Sequence, residues 1–277
     1  MARRSEINTI ENAGRVAYRD APIILWGDDE SGYVNDVLNV VSSKIILAEV
    51  RLAPGQRFQA SNLHKPIYDS DVCLYVLEGQ YTVQLPDTGE VKVAEAGEML
   101  FLRGPQWHFG YNFSSGVTRV LETISPPAAA DRFADAICPS PIRGVDVIAL
   151  EDFPATAAKA ANLLRRIKPA DALPAIIGTK SPLRLRIMAS SPRVSLALVN
   201  LLPGQASEIV KFTSDATVYV ESGRLTLRNI TDTDAEDLEP GDAYFLPAGT
   251  EWQLRSHTGD PAFGQIALAG SFAKEIN

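Results

Sequence analysis

The chain has 277 residues, a formal net charge of −8 at pH 7, 45% hydrophobic residues and 22% charged residues. This composition is that of a globular protein of one or two domains, and it excludes a disordered or fibrous chain. The acidic balance argues against a nucleic-acid partner, because phosphate groups require a basic face. The longest apolar runs are far shorter than the ~20 residues of a membrane-spanning helix, so we expect no membrane partner.

The first residues, Met1 to Glu6, carry positive charge with no apolar segment behind them. We therefore expect no secretory signal and a cytoplasmic protein. The two cysteines, Cys73 and Cys138, allow at most one disulfide and belong to no CxxC pair, which excludes a zinc ribbon. Chemistry that needs imidazole has only three histidines to draw on, which are His64, His108 and His257.

The sequence contains two copies of one pattern. Residues 46–56 match residues 195–205 at an offset of 149, and residues 74–83 and 96–102 match residues 218–227 and 240–246 at an offset of 144. Each copy consists of short segments rich in Val, Ile, Leu, Tyr and Thr, separated by glycine-containing turns. In 80–85, for example, apolar and polar residues alternate as in a half-buried strand. Many short strands at this spacing favour a closed barrel or a double-sheet roll.

Residues 126–182, between the two copies, have a different composition. Segments 128–137 and 155–167 are rich in alanine and bounded by prolines, which predicts two helices. The basic stretch Arg165–Lys168 is interpreted as the C-terminal end of the second helix. The predicted organisation is an N-terminal arm that packs on the barrels, an N-terminal barrel, a helical connector and a C-terminal barrel, over residues 1–39, 40–125, 126–182 and 183–277.

The second half of each copy carries a recognisable motif. Gly241, Pro247 and Gly249 fit the spacing of G-x5-PxG-x2-H-x3-N, with Trp252 and Ser256 in place of the histidine and asparagine. In the first copy Gly97, His108 and Asn112 match, whereas Arg103 and Pro105 replace the Pro and Gly. These segments resemble the cupin superfamily, and the whole chain resembles a bicupin. The resemblance implies an all-β protein with two cupin-type β-barrels (double-stranded β-helix, or jelly roll) in tandem and a short helical connector.

The resemblance also implies what a metal site would require. A cupin centre of Mn, Fe, Ni or Zn has three imidazoles and one carboxylate, but the chain has no HxH pair, and the glutamate position falls on Val72 and Ala216. The N-terminal barrel could offer His108, His64 and Asp71 as metal ligands. Asp71 lies one residue out of register and would reach inward only through a bulge. We expect either no cofactor or a weakly bound divalent metal in a degenerate N-terminal site, and no metal in the C-terminal barrel.

His108 is the candidate catalytic residue. An inward-facing imidazole with a pKa near neutrality would transfer a proton or hold a weak metal, and the alternative is a vestigial histidine bonded to neighbours such as Asn112. Strand alternation puts Gly110 on the same face, where it leaves room for a ligand. On the opposite face we expect an aromatic row packed against a second sheet or barrel, formed by Trp107, Phe109, Tyr111 and Phe113. In the other copy, Trp252 would either fill the pocket or stack on a ligand.

The N-terminal copy has five extra residues between its first two matched segments, in the loop that contains His64 and Tyr68. Since the family builds its pocket rim there, His64 and Tyr68 are predicted to bind substrate, as is Asn112, which matches the second motif beside His108. Arg57 and Arg103 are expected near the pocket mouth, where they could attract an anionic substrate.

Three functions fit these residues. The first is an enzyme of the lyase, isomerase or dioxygenase type that transforms a small polar metabolite in the N-terminal barrel. The second is a non-catalytic module that binds or senses a small molecule without a metal. The third is a structural or storage protein. Edge strands of barrels often pair, so a homodimer is also possible.

Overall fold

The computed structural model describes residues 9–29, 31–59, 70–104, 107–127, 163–257 and 259–276. The strands of its first part are β1 (Gly14–Val16), β2 (Ile23–Asp28), β3 (Gly32–Val41), β4 (Ile46–Leu52), β5 (Arg57–Phe58), β6 (Asp71–Glu78), β7 (Gln80–Leu85), β8 (Glu90–Glu95), β9 (Met99–Leu102), β10 (Phe109–Tyr111) and β11 (Thr118–Ser125). The second part contains β12 (Leu164–Ile167), β13 (Leu173–Ile177), β14 (Leu183–Ser190), β15 (Ser195–Leu201), β16 (Val210–Lys211), β17 (Ala216–Ser222), β18 (Leu225–Asn229), β19 (Asp234–Leu238), β20 (Ala243–Leu246), β21 (Glu251–Ser256) and β22 (Ala262–Leu268). Short 3-10 helices lie at Tyr18–Asp20, Pro169–Asp171 and Phe272–Lys274. No helix in these described ranges is long and apolar enough to cross a membrane.

The strands form two copies of the same pair of sheets. The N-terminal barrel has a seven-stranded sheet, in the order β12-β9-β6-β11-β4-β3-β2, and a four-stranded sheet, in the order β5-β10-β7-β8. The C-terminal barrel has the orders β1-β20-β17-β22-β15-β14-β13 and β16-β21-β18-β19. Each strand of one barrel has a counterpart at the same place in the other. The predicted fold class, an all-β chain of two cupin-type barrels, is therefore confirmed.

The turns repeat as closely as the strands do. Gly79 directly follows β6, and Gly223 directly follows β17. Their φ values are 77° and 76°. A Cβ atom at either position would lie 2.5–2.6 Å from a backbone carbonyl oxygen, of Val117 and Pro261 respectively. Only glycine adopts this left-handed conformation without strain and tolerates so close an approach, so both copies keep it.

The contacts divide the chain into two compact units, each containing one barrel. One unit comprises Met1–Pro22, Asn39–Leu47 and Pro169–Asn277, and contains the C-terminal barrel. The other comprises Ile23–Leu38 and Ala48–Lys168, and contains the N-terminal barrel. Strand β1, from the predicted arm, pairs with β20 of the C-terminal barrel. The boundaries inferred from the sequence stay a prediction.

Each seven-stranded sheet ends in a strand with an arginine that binds a carboxylate at the neighbouring turn. In the C-terminal barrel, Arg15 of β1 donates to Asp242 Oδ2 at 2.8 and 3.1 Å, and the Tyr18 amide donates to Oδ1 at 2.8 Å. In the N-terminal barrel, Arg166 of β12 donates to both oxygens of Glu98 at 2.7 Å. An arginine–carboxylate contact with two hydrogen bonds thus fixes the terminal strand in both sheets.

Strand β12 corrects one prediction. Leu164–Ile167, expected as the end of a helix, is a strand that pairs antiparallel with β9. Leu164 and Ile167 are buried while the two arginines between them are exposed, a spacing that also suits a helix. The backbone hydrogen bonds of β9 and the contact with Glu98 outweigh this local preference. The rest of the predicted helices, 128–137 and 155–162, lies outside the described residues.

Candidate functional site

His108 lies on the inner face of the N-terminal barrel. It precedes β10, whose Gly110 pairs with Val83 of β7, a strand with its apolar residues turned inward. The imidazole is only 6% exposed and makes no hydrogen bond within the described residues. Burial lowers the pKa of His108 to about 4, because a charged imidazole would lose its hydration. The ring is therefore neutral at pH 7, and the pKa near neutrality expected from the sequence is wrong.

Tyr81 occupies the space that Gly110 leaves. A Cβ atom at Gly110 would lie 2.1 Å from the Tyr81 hydroxyl oxygen, so the tyrosine ring fits only because residue 110 lacks a side chain. The expectation that this gap holds a ligand is therefore wrong in its detail, since the hydroxyl group fills it. Burial, together with the nearby carboxyl groups of Glu122 and Asp36, raises the pKa of Tyr81 well above its usual range. The hydroxyl stays protonated and is able to donate a hydrogen bond.

Asp36 of β3 points into the same barrel from the seven-stranded sheet. Its neighbours Tyr33 and Asn35 are exposed, whereas Val34 and Leu38, which share the face of Asp36, are buried. The Oδ1 atom of Asp36 is buried and has no hydrogen-bond partner among the described residues. Burial raises the pKa of Asp36 to about 7, because an ionised carboxylate without a partner is costly in the interior.

Glu122 of β11 is the second carboxyl group of this interior. It pairs with Leu74 of β6 and shares the inner face with the buried Val120 and Ile124. Burial raises the pKa of Glu122 to about 8, and repulsion from Asp36 adds to the effect. Glu122 and Asp36 are both partly accessible in the structure, although burial is the main cause of the raised pKa of each.

The C-terminal barrel has an apolar residue at each equivalent position. The repeat offsets place Leu185, Leu225, Trp252, Leu254 and Ile266 opposite Asp36, Tyr81, His108, Gly110 and Glu122. All five belong to one hydrophobic cluster that fills the C-terminal barrel. Trp252 is fully buried, with its ring centroid 5.5 Å from that of Phe212, so this indole fills the interior, which was one of the two possibilities for it. The same scaffold is thus a packed core in one barrel and polar in the other.

The predicted substrate-binding residues are placed differently from the four polar residues of the interior, which are Asp36, Tyr81, His108 and Glu122. Arg57 and Arg103 are exposed, and Arg57 pairs with Tyr111 on the four-stranded sheet. Asn112 is fully buried, and its amide group bonds within the surrounding turn, to the carbonyls of Leu52, Ala53 and Gly116 and to Ser114. These bonds give Asn112 a role in holding the loop. His64 and Tyr68 lie outside the described residues.

A cupin-type metal is not matched by the residues that the structure describes. In those ranges no three His, Cys, Asp or Glu side chains converge on one point. The ladder of β6 is regular at Asp71, which pairs with Ser125 and accepts a hydrogen bond from the Gly104 amide at 3.0 Å. Asp71 therefore lies on the face of Cys73, away from the inward-facing Val72. His108 is the one of the three predicted ligands that reaches the interior within the described chain.

The predicted aromatic row is present on the outer face of β10. Trp107, Phe109, Tyr111 and Phe113 follow one another with ring centroids 5.1–6.5 Å apart. The Trp107 indole donates to Asp87 at 2.6 Å, and Phe113 at the other end is 70% exposed. The row covers the outside of the sheet and does not contribute to the interior.

Asp36, Tyr81 and Glu122 were not predicted from the sequence. They belong to no cupin motif, and Asp36 lies in the segment interpreted as an arm. A signal was nevertheless present, since the two copies can be aligned over their inward-facing positions. Four polar residues opposite Leu185, Leu225, Trp252 and Ile266 would have indicated a polar interior in the first copy.

Comparisons with known proteins show the same architecture. No known family profile matches the chain, and no curated protein matches it. Among solved structures, an oxalate decarboxylase from Bacillus subtilis described for its Mn(II) centres is 14% identical, with a TM-score of 0.66 over 95% of this chain and 78% of that one. The Lactobacillus farciminis oxalate decarboxylase in a formate complex is 14% identical, with a TM-score of 0.66 over 95% of this chain and 88% of that one. A putative glyoxylate-induced protein from Pseudomonas aeruginosa is 14% identical, with a TM-score of 0.64 over 96% of this chain and 92% of that one. At this identity the likeness shows the bicupin fold.

Proposed function

We propose that this chain, which has the bicupin fold, binds and transforms a small polar metabolite in the interior of its N-terminal barrel, with His108 as a proton-transfer residue. The observation that carries the proposal is the contrast between the two interiors. The C-terminal barrel demonstrates that apolar residues fill this scaffold well. The N-terminal barrel instead keeps four polar groups whose burial is costly, and such groups are typical of functional sites.

The protonation states suit proton transfer. His108 is neutral at pH 7 and is able to accept a proton, whereas Tyr81 keeps its proton and is able to donate it. Titratable groups whose environments push their pKa values apart commonly divide into the base and the acid of a reaction. Lyase and isomerase reactions both depend on such a pair.

The test is ligand binding and turnover with His108→Gln. A panel of oxalate, formate, glyoxylate, glycerol and ethanolamine is screened by thermal shift, and any compound that raises the melting temperature is followed by NMR for conversion. We expect His108→Gln to abolish conversion, while the variant His257→Gln behaves as the parent protein because His257 lies in the C-terminal barrel, bonded to Thr226. Unchanged conversion by His108→Gln would refute the proposed role.

The alternative is a binding or sensing module without catalysis. The lack of three converging metal-ligand side chains within the described residues favours it over the metal-dependent chemistry of the Bacillus neighbour. Binding that depends on His108 without any conversion would establish this alternative. Metal analysis of protein purified without chelators tests the remaining proposal, a weakly bound divalent metal at His108.

We also propose that the chain forms a homodimer. Strand β13 ends its sheet within the described chain, and its Leu173 and Ile176 side chains are 65% and 60% exposed. An exposed aliphatic edge strand is a ready surface for pairing with a second copy. Light scattering should give the mass of a dimer, and Ile176→Lys should give the monomer; a monomeric parent protein would refute this. The cytoplasmic location stays a prediction from the sequence.

A further inference from the structure

We propose that Asp36 and Glu122 form a cation site in the N-terminal barrel, which binds a small molecule through a protonated amine and releases a proton when it does so. This inference rests on the proposed function and names the substrate class of the same site. Neither carboxyl group belongs to a cupin motif in this sequence, and neither was among the predicted site residues.

The geometry places both carboxyl groups on one inner surface. Asp36 on β3 and Glu122 on β11 belong to the same seven-stranded sheet, separated by β4. Each lies on the inward face by strand alternation, the charge of Asp36 raises the pKa of Glu122, and both charges raise the pKa of Tyr81. Tyr81 lies on the four-stranded sheet of the same barrel, with its hydroxyl group over Gly110.

An independent observation concerns the hydrogen bonding of Asp36. Asp36 Oδ1 is buried without a hydrogen-bond partner among the described residues. Buried carboxylate oxygens are normally satisfied by donors, so an orphaned one indicates a partner that the described chain does not supply. An ammonium group is able to donate the hydrogen bond that this oxygen lacks.

The charges around the pair favour a positive ligand. Within the part of the chain that the structure describes, no lysine or arginine contributes to the pKa shifts of Asp36, Glu122 or Tyr81. On the edge strand β8, Lys92 pairs with Val83 and shares its inward face, but Lys92 is exposed. The imidazole of His108 is neutral. When no ligand is bound, bound protons therefore neutralise the charges of the two carboxyl groups. An ammonium group would take over that role, whereas a carboxylate ligand would add a further negative charge.

The exchange balances without any other reactant. The carboxylic acid gives its proton to water, the resulting carboxylate accepts hydrogen bonds from the ligand's ammonium group, and the tyrosine hydroxyl remains protonated. No covalent bond between heavy atoms changes. Binding should therefore tighten as the pH rises from about 6 to 8, the range in which the acid form gives way to the carboxylate, and should fall again when the amine itself loses its proton.

The experiment compares matched probes of opposite charge. Ethanolamine and methylammonium are titrated against the full-length protein by calorimetry at about pH 7.5, with glycolate and acetate as their anionic counterparts. Repeating the titration in buffers of different ionisation enthalpy measures the protons released. We expect amine binding with net proton release, no carboxylate binding, and a loss of roughly tenfold to a hundredfold in amine affinity for Glu122→Gln and for Asp36→Asn, since each removes a charge-assisted hydrogen bond.

The controls separate this inference from the proposed function. Glu95→Gln, at an exposed position of β8, should bind the amines as the parent protein does. Tighter binding of the carboxylates, or amine binding that survives the double variant Asp36→Asn, Glu122→Gln, overturns the inference but leaves a His108-dependent site in place. If no probe, including neutral glycerol, binds in a way that depends on His108, both the inference and the proposed function are overturned. If a variant fails to fold, carbon-13 NMR of the carboxyl groups in the parent protein supplies the readout: ethanolamine must shift both titrations to lower pH, and unchanged titrations refute the inference.

Discussion

Replacing Glu122 with glutamine should stabilise the protein increasingly as the pH rises. The buried Glu122 has its pKa raised from 4.5 to about 8. A carboxyl group of this kind contributes stability below its unfolded pKa, and the contribution is lost as the pH rises through its folded pKa. Glutamine has nearly the same shape and does not titrate. The difference in unfolding free energy between Glu122→Gln and the parent protein should therefore grow from about pH 4.5 to 8 and then level off.

The magnitude follows from the shift. One pKa unit corresponds to about 1.4 kcal/mol, so the full shift would be worth about 5 kcal/mol, and the partial accessibility of Glu122 reduces this to roughly 2–4 kcal/mol. The offset between the two proteins at low pH includes the cost of burying an amide and does not enter the test. Only the pH-dependent part measures the carboxyl group.

The assay is urea unfolding from about pH 5 to 9. Amide hydrogen exchange of β11 assigns the transition to the N-terminal barrel, because the chain contains two compact units and a single global transition is not assured. Glu95→Gln, at an exposed site, is the matched control and should follow the parent protein at every pH. A constant difference between Glu122→Gln and the parent protein across this range would refute the raised pKa of Glu122.

Three further predictions concern other contacts. Burial lowers the pKa of His108 from 6.5 to about 4. The free energy of unfolding of the parent protein should therefore fall by about 3 kcal/mol as the pH falls between these values. Acid unfolding curves should show no such loss for His108→Gln. Gly110→Ala should cost about 1–3 kcal/mol in urea unfolding because the new Cβ meets the Tyr81 hydroxyl, and Tyr81→Leu should relieve most of that cost; additive effects would contradict the contact. Arg15→Ala should cost roughly 2–4 kcal/mol, because it leaves the buried Asp242 carboxylate without its counter-charge, and a melting temperature equal to that of the parent protein would rule this out.

The duplication provides an internal reference for function. Two copies of one scaffold within a single chain fold under the same conditions, so a difference between their interiors is not a requirement of the fold. The C-terminal barrel places Ile266 and Leu225 where the N-terminal barrel has Glu122 and Tyr81. Replacing a buried polar group by a well-packed apolar one is often neutral or stabilising. The polar set in one copy therefore supports the proposed ligand site.

Much of the fold could be predicted from the amino-acid sequence by itself. The spacing of the glycine turns and the alternation of apolar residues are local properties, and their recurrence at offsets of 149 and 144 is enough to indicate a tandem duplication. The alternation also put His108 and Gly110 on one face and the aromatic row on the other, as they are in the folded barrel. The replacement of the motif histidine by Trp252 left two possibilities, a filled C-terminal interior or an indole that stacks on a ligand, and the structure shows the filled interior.

Tertiary structure determined the strand at Leu164–Ile167 and brought the polar residues of the interior together. The alanine-rich sequence before β12 favours a helix locally, but pairing with β9 and the contact of Arg166 with Glu98 stabilise a strand there. Asp36, Tyr81 and Glu122 come from three strands far apart in sequence, and nothing in their local surroundings marks them. They share one interior only because closing the barrel brings both sheets around them and removes the water that would otherwise solvate their charges.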